Sequence, residues 1–236
     1  RPLGDASIGR AARWGDRLAG RVGRAGCFSA QSYKHLNGGE GGLLVTDDAD
    51  LAARAVLMSG SYMLYGQHSA RPGEAVFRRW RGEMPNFSMR LNGLVASILR
   101  PQLPLLDARV RRWRAIHALV AEGVARSPHL RLPETPGKAW LTPTSIQFLH
   151  RSDDPAELHA FLDRAGRLGI GVKWFGADEP VGFTSRPDHW GYVDGAAPPR
   201  ALATLRRLCD VRLPLGLSDD EARQIGDILE HAAESG

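Results

Sequence analysis

Along this chain, apolar residues recur at two spacings, and the alternation between them predicts most of its elements. Leu43-Leu44-Val45-Thr46 is a short apolar run of strand type, and Asp47 and Asp48 stand where they can cap a helix through Leu51, Ala52, Val56 and Leu57. Leu91, Leu94, Val95, Ile98 and Leu99 fall on one helical face, Pro101 and Pro104 interrupt it, and Val110, Trp113, Ile116, His117 and Val120 resume it. Ser145-Ile146-Gln147-Phe148-Leu149 alternates as a strand does. Beyond it come a helix through Leu158, Phe161, Leu162, Ala165 and Leu168, a strand over Ile170–Phe175, a helix through Leu202, Leu205 and Leu208, and a last helix through Ala222, Ile225, Ile228 and Leu229.

Two stretches lack such periods. Residues 1–26, rich in Gly, Ala and Arg, read as loop and turn leading to a strand end at Gly26-Cys27-Phe28-Ser29. Residues 60–89 carry Tyr62, Tyr65, Phe77, Trp80, Pro85 and Phe87 without periodicity, which predicts an ordered irregular excursion. Pro128, Pro133, Pro136 and Pro143 mark a boundary, so the expected division is 1–107, a connecting helix over 108–127, and a small α/β domain over 128–236.

Composition narrows the class. The 236 residues, 43% hydrophobic and 24% charged, are those of an ordinary globular protein, and no apolar run reaches the ~20 residues of a membrane-spanning helix. The net charge of +5 is carried almost wholly by arginine, for the lysines are only Lys34, Lys138 and Lys173. These cations are interspersed with 26 acids and few aromatics, an arrangement that argues against a nucleic-acid surface. Cys27 and Cys209 lack disulfide or zinc spacing, which fits a reducing, cytoplasmic setting, and His68, His117 and His189 lack metal-ligand spacing, so no metal is expected. Arg1 opens the chain in place of Met with no apolar leader after it, which reads as a fragment or a processed product.

The sharpest chemistry lies in Phe28-Ser29-Ala30-Gln31-Ser32-Tyr33-Lys34-His35-Leu36-Asn37, a lysine just past a strand, followed by the glycine-rich turn Asn37-Gly38-Gly39-Glu40-Gly41-Gly42. A lysine drawn partly out of water becomes a nucleophile toward aldehydes and ketones, and Ser29 with nearby backbone N–H groups can hold a phosphate. The bland alternative is a solvated loop lysine. Asp5, 29 residues upstream, supplies a carboxylate that could keep a pyridine nitrogen protonated.

Taken together, Asp5-Ala6, Gly20, Gly23, Phe28-Ser29, Lys34 and Gly39-Glu40-Gly41-Gly42 resemble the DegT/DnrJ/StrS family of fold type I, pyridoxal-phosphate-dependent sugar aminotransferases. The resemblance continues through Asn86-Phe87-Ser88-Met89-Arg90-Leu91, Ala96 and Ile98-Leu99-Arg100-Pro101-Gln102-Leu103, and reaches Asp210-Val211-Arg212-Leu213-Pro214-Leu215. It implies an α/β chain: a partial fold type I large domain that binds pyridoxal 5'-phosphate, followed by a small α/β C-terminal domain. Lys34 would be the Schiff-base lysine and proton carrier, Asp5 the partner of the pyridine nitrogen, and Ser29 a phosphate ligand. Asn86, Ser88 and Arg90 fall in the segment that reaches a neighbouring subunit's cofactor or substrate, which implies a homodimer. Lys173 and Arg186 are candidates for a donor carboxylate or sugar phosphate, against the alternative of surface cations beside core aromatics. The implied reaction moves an amino group from glutamate or glutamine to a keto sugar nucleotide or keto cyclitol.

The chain departs from the family pattern at Ile8, where Gln or His is usual, and at Gly93, where an acid is frequent. The resemblance covers only the later part of the family chain, leaving out the turn that completes the phosphate cup and the ring that stacks on the pyridine. The alternative reading is a non-catalytic homologue or interaction protein that cannot hold the cofactor.

Overall fold

In the computed structural model the described residues are 3–5, 12–181, 186–192 and 198–234. Ile8 and the Gly182-Phe183-Thr184-Ser185 stretch lie outside them. Along the chain run β1 (Leu3–Asp5), β2 (Arg13–Trp14), β3 (Arg17–Leu18), β4 (Ala25–Ser29), β5 (Gly42–Val45), α1 (Ala49–Met58), α2 (Glu74–Trp80), α3 (Gly93–Leu99) and α4 (Leu106–Arg126). Then follow β6 (Leu130–Arg131), β7 (Ala139–Trp140), β8 (Ser145–His150), α5 (Pro155–Arg167), β9 (Lys173–Trp174), α6 (Pro199–Leu205), β10 (Leu208–Arg212) and α7 (Asp219–Ala233).

Two compact units result, one of residues 1–110 with 137–142, the other of 111–136 with 143–236. Set against the expected division, the connecting helix is shared between the units, and residues 137–142, expected in the second domain, pair in the first. The cause is local: Trp140 stands opposite Arg13, so β7 extends the β2–β3 hairpin.

In the first unit β4 is the central strand, parallel to β1 and antiparallel to β5. The stretch expected as loop therefore holds a strand that places Asp5 opposite Cys27. Asp48 caps α1 as expected, its carboxylate accepting from Leu51 N at 2.9 Å, and that hydrogen bond with the Arg24 guanidinium holds the acid below its usual range. The excursion over 60–89 is partly helical, because α2 lays Phe77 against Tyr65, Leu57 and Ala53 in a small core of its own. Tyr65 and Phe77 stack with centroids 4.2 Å apart, Tyr65 donates to Glu74, and Arg54 lies over Trp80.

The second unit is a four-stranded antiparallel sheet in the order β6-β8-β10-β9, covered by helices. Ile146 and Phe148 of β8, Cys209 and Val211 of β10, Leu158 and Phe161 of α5, and Leu229 of α7 form its main core with Ile116, Val120 and Val124 of α4. Each large side chain buried there contributes about 1.5–3 kcal/mol. The helix expected through Leu208 stops at Leu205, and Leu208 opens β10 instead, pairing with Leu149. The strand expected over 170–175 is confined to Lys173–Trp174. Burial pushes the Cys209 thiol up to about 12, so it is a core side chain and not a nucleophile.

Candidate active site

Strand β4 ends at Ser29, and the chain reverses through residues 30–41 before returning as β5. The reversal keeps a ladder of its own: Ala30 N donates to Gly41 O (2.8 Å), Gly38 N to Ala30 O (2.8 Å) and Ser32 N to Gly39 O (2.9 Å). At its tip Lys34 N donates to Gln31 O, and Tyr33 adopts φ +76°, a left-handed conformation that a side chain of this size rarely takes. Ser29 Oγ accepts from Gln31 N at 3.2 Å and keeps its own proton for a further acceptor.

Lys34 is half-buried, whereas Lys138 and Lys173 are exposed. Among the described residues no carboxylate forms an ion pair with it. Next to it His35 is buried, its Nε2 3.0 Å from Thr142 O, so that nitrogen donates. Burial lowers the His35 pKa, its backbone hydrogen bond opposes that, and the charge of Lys34 lowers it further.

The floor of the loop is Ala30 and Leu36, packed on Leu99 of α3 with Leu91 and Val95 beside them. Glycine lets the loop pack closely on these side chains. A Cβ on Gly38 would stand 2.7 Å from Val95 Cγ1, and one on Gly41 would stand 2.4 Å from Leu91 Cδ1. Gln102, just beyond α3, bonds Asn37 through both ends of its amide, and Arg109 bonds Gln102 in turn. Sequence reasoning gave neither side chain a role; the Gln-Leu pair ending the helical segment was the available signal for Gln102, and nothing pointed to Arg109.

The structure joins Asp5, Ser29 and Lys34 through adjacent strands and one loop; Asp5 is placed by its backbone, its side chain lying outside the described set. Asn86 and Ser88 are exposed and sit at the end of α1. Asn86 Oδ1 accepts from Ser88 N at 2.8 Å, Phe87 N donates to Met58 O at 2.8 Å, and Asn86 Oδ1 packs on Gly60. Ser88 is left-handed at φ +52°. Arg90 is exposed beside Leu91, the residue that touches Gly41. The far end of the segment therefore meets the lysine loop, while Asn86 and Ser88 pack at the end of α1.

Lys173 and Arg186 belong to the second unit. Lys173 is exposed opposite Asp210. Arg186 grips both oxygens of Asp188 at 3.1 Å, and reaches Asp178 and Gly176 O. These carboxylates, Asp188 foremost, raise its pKa, and the guanidinium staples its own loop. A cavity of about 690 Å³ between Arg21, Arg24, Phe28, Val45 and Asp48 includes none of the sequence-predicted site residues.

The residues around Lys34 fit a cofactor bearing an aldehyde and a phosphate. They offer a half-buried amine free of a described carboxylate, a hydroxyl with a proton to donate, and open space at Gly39, where a Cβ would meet nothing within 4 Å.

The sheet with its lysine reversal, the long helix and the second α/β unit follow one another in the order found in part of the fold type I α/β architecture. A sugar aminotransferase from Micromonospora echinospora, CalS13, superposes with a TM-score of 0.75 over 96% of this chain and 57% of that one, at 18% identity. The model of the DegT/DnrJ/EryC1/StrS aminotransferase family matches residues 3–230, and the chain belongs to that family. Among its relatives, an L-glutamine:2-deoxy-scyllo-inosose aminotransferase of Micromonospora echinospora is 35% identical over 120 residues, 51% of this chain and 28% of that protein. The enzyme of the same description from Streptomyces fradiae is 29% identical over 237 residues, 91% of this chain and 55% of that protein. The chain spans about half the length of the relatives it matches.

Proposed function

We propose that this chain carries the lysine portion of a pyridoxal-phosphate-dependent aminotransferase that moves an amino group from glutamine or glutamate to a keto cyclitol or keto sugar. The observation that carries the reading is Lys34, half-buried at the tip of the reversal after β4, in a loop that packs through glycines on α3. The family match supports the chemistry, and the relatives named for L-glutamine and a keto cyclitol support the substrate class.

Pyridoxal phosphate, when bound, supplies an electron sink for a carbanion next to nitrogen. Lys34 Nζ would hold it through the aldehyde carbon, and the same amine, as a neutral base, would carry the proton at the substrate carbon. Ser29 Oγ–H donates to the phosphate. Asp5 holds the proton on the pyridine nitrogen. Asn86, Ser88 and Arg90 act across the contact between two copies of the subunit, and Lys173 and Arg186 remain candidates for a substrate anion, the latter only by exchanging Asp188 for it. A cytoplasmic enzyme working as a homodimer agrees with this chemistry.

Adding pyridoxal phosphate to the purified chain gives a visible absorption band that Lys34→Ala removes. The absence of a band, or a band that survives the substitution, overturns the reading for this chain.

A further inference from the structure

A lysine that must meet an aldehyde carbon and then a substrate proton needs its backbone held still, since small displacements of a reacting group cost rate steeply. The Lys34 loop is long, polar and rich in glycine; its own ladder ties residues 30, 32, 38, 39 and 41, Lys34 N donates to Gln31 O, and Asn37 Oδ1 accepts from Gly39 N. In the segment leading away from Lys34, Thr142 O holds the His35 ring and Leu36 packs on Leu99, but none of these contacts holds the backbone N–H and C=O of Asn37.

Gln102 does. Its Oε1 accepts from Asn37 N at 3.1 Å, and its Nε2 donates to Asn37 O at 2.6 Å, so one side chain reads both backbone groups of Asn37 as a neighbouring strand would. An amide suits this task because it carries a donor and an acceptor at fixed separation. The amide could turn over and lose both bonds, but Arg109 Nη1 donates to the same Oε1 at 2.8 Å and fixes which end faces the loop. Gln102 Nε2 also reaches Ile98 O at 3.0 Å, tying it to the helix beneath. From the same guanidinium nitrogen a longer bond of 3.4 Å runs to His35 O, the carbonyl directly after Lys34.

We infer that Gln102, oriented by Arg109, is a positioning residue that sets the Lys34 loop for the cofactor. This rests on the aminotransferase reading above. Neither side chain touches the reacting atoms; both act through the backbone of His35 and Asn37.

The chain carries its own internal reference, since Lys138 and Lys173 are exposed amines that take no part in the loop's hydrogen bonds. The purified chain is incubated with pyridoxal phosphate, reduced with borohydride and mapped by peptide mass spectrometry, which reads the share of adduct on each lysine. In the unsubstituted chain Lys34 takes the adduct in preference to the other two. Gln102→Ala lowers that preference by about tenfold, in keeping with the cost of a displaced reacting group. Gln102→Glu keeps an acceptor for Asn37 N and for Arg109, and retains part of it. Ala53→Gly, which weakens the first unit in α1 without touching the loop, serves as the control for lost stability and leaves the preference in place. If Gln102→Ala behaves as the unsubstituted chain, or Ala53→Gly loses as much, Gln102 is no positioning residue and the cofactor reading stands. If the unsubstituted chain shows no preference for Lys34, the cofactor reading fails and the positioning role falls with it.

Discussion

His35 shows how much one residue's surroundings decide. In sequence it lies in a polar run, Lys34-His35-Leu36-Asn37, and reads as loop; in the fold it is buried because Thr142, far along the chain, offers it a carbonyl. With its pKa held below the ordinary 6.5 by burial, the folded state binds a proton less readily than the unfolded one. Stability contributed by the neutral ring is therefore present above about pH 6.5 and is lost as pH falls toward the lowered folded value. His117 and His150, lowered by burial in the second unit, act with the same sign. His35→Gln, whose amide can still donate to Thr142 O, should flatten the acid side of the first unit's stability profile, measured as urea midpoint against pH. An unchanged slope would remove His35 as a source. Tyr33 gives a second residue-scale expectation. At φ +76° and 72% exposed, it tolerates replacement by Asn, but a β-branched residue raises the steric cost, and Tyr33→Val should destabilise the first unit by about 1–2 kcal/mol in the same measurement. Equal urea midpoints for the two variants would contradict this.

At the scale of elements, the helices were legible wherever an apolar face repeats. The capped α1 and the amphipathic α5 and α7 follow from Asp48, from Leu158 and Phe161, and from Ala222 and Leu229. The two-residue strands were not, because two positions carry no period, and β2 pairs with the remote Ala139 and Trp140 as well as with its hairpin partner β3. Leu208 was misplaced for a related reason: its spacing from Leu205 suits a helix, yet pairing with Leu149 decides its conformation. For the candidate site, Lys34 and Ser29 are proposed from residue types and from the family resemblance, while Gln102 and Arg109 enter only through distances that no local pattern contains. Glycines inside helices tell a similar story. In an isolated helix, exchanging glycine for alanine gains roughly 0.8–1.0 kcal/mol. Gly123 of α4 lies against Gly226 of α7, and a Cβ there would stand 2.3 Å from Gly226 backbone carbon, so helix propensity and packing oppose each other. Packing wins: Gly123→Ala should cost about 1–3 kcal/mol or more, read by chemical denaturation of the second unit. A stabilised variant would show that the helices have room to part.

Over the whole molecule the two units differ in how they are held. The second gathers its buried side chains into one continuous core from α4 to α7, whereas the first divides them between a cluster around Phe77 and another around Leu36 and Leu99. The first unit also leaves Leu94 at 72%, Met89 at 73% and Phe87 at 57% exposed. Less continuous burial means easier local opening. Amide hydrogen exchange should therefore proceed faster through α1, α2 and α3 than through α5, α7 and β10, and limited proteolysis should cut first between residues 60 and 92. Cleavage beginning in the second unit's core elements would refute that ordering. The contact between Gly123 and Gly226 bears, finally, on how such a chain can drift. A Cβ on Gly123 would stand 2.3 Å from Gly226 backbone carbon, so Gly123 can be enlarged only if α7 moves, whereas a Cβ on Gly226 would stand 3.0 Å from Val120 O and asks a shift of a few tenths of an ångström. The crossing is therefore locked from the Gly123 side, and that position stays fixed through descent while the helix surfaces around it are free to change.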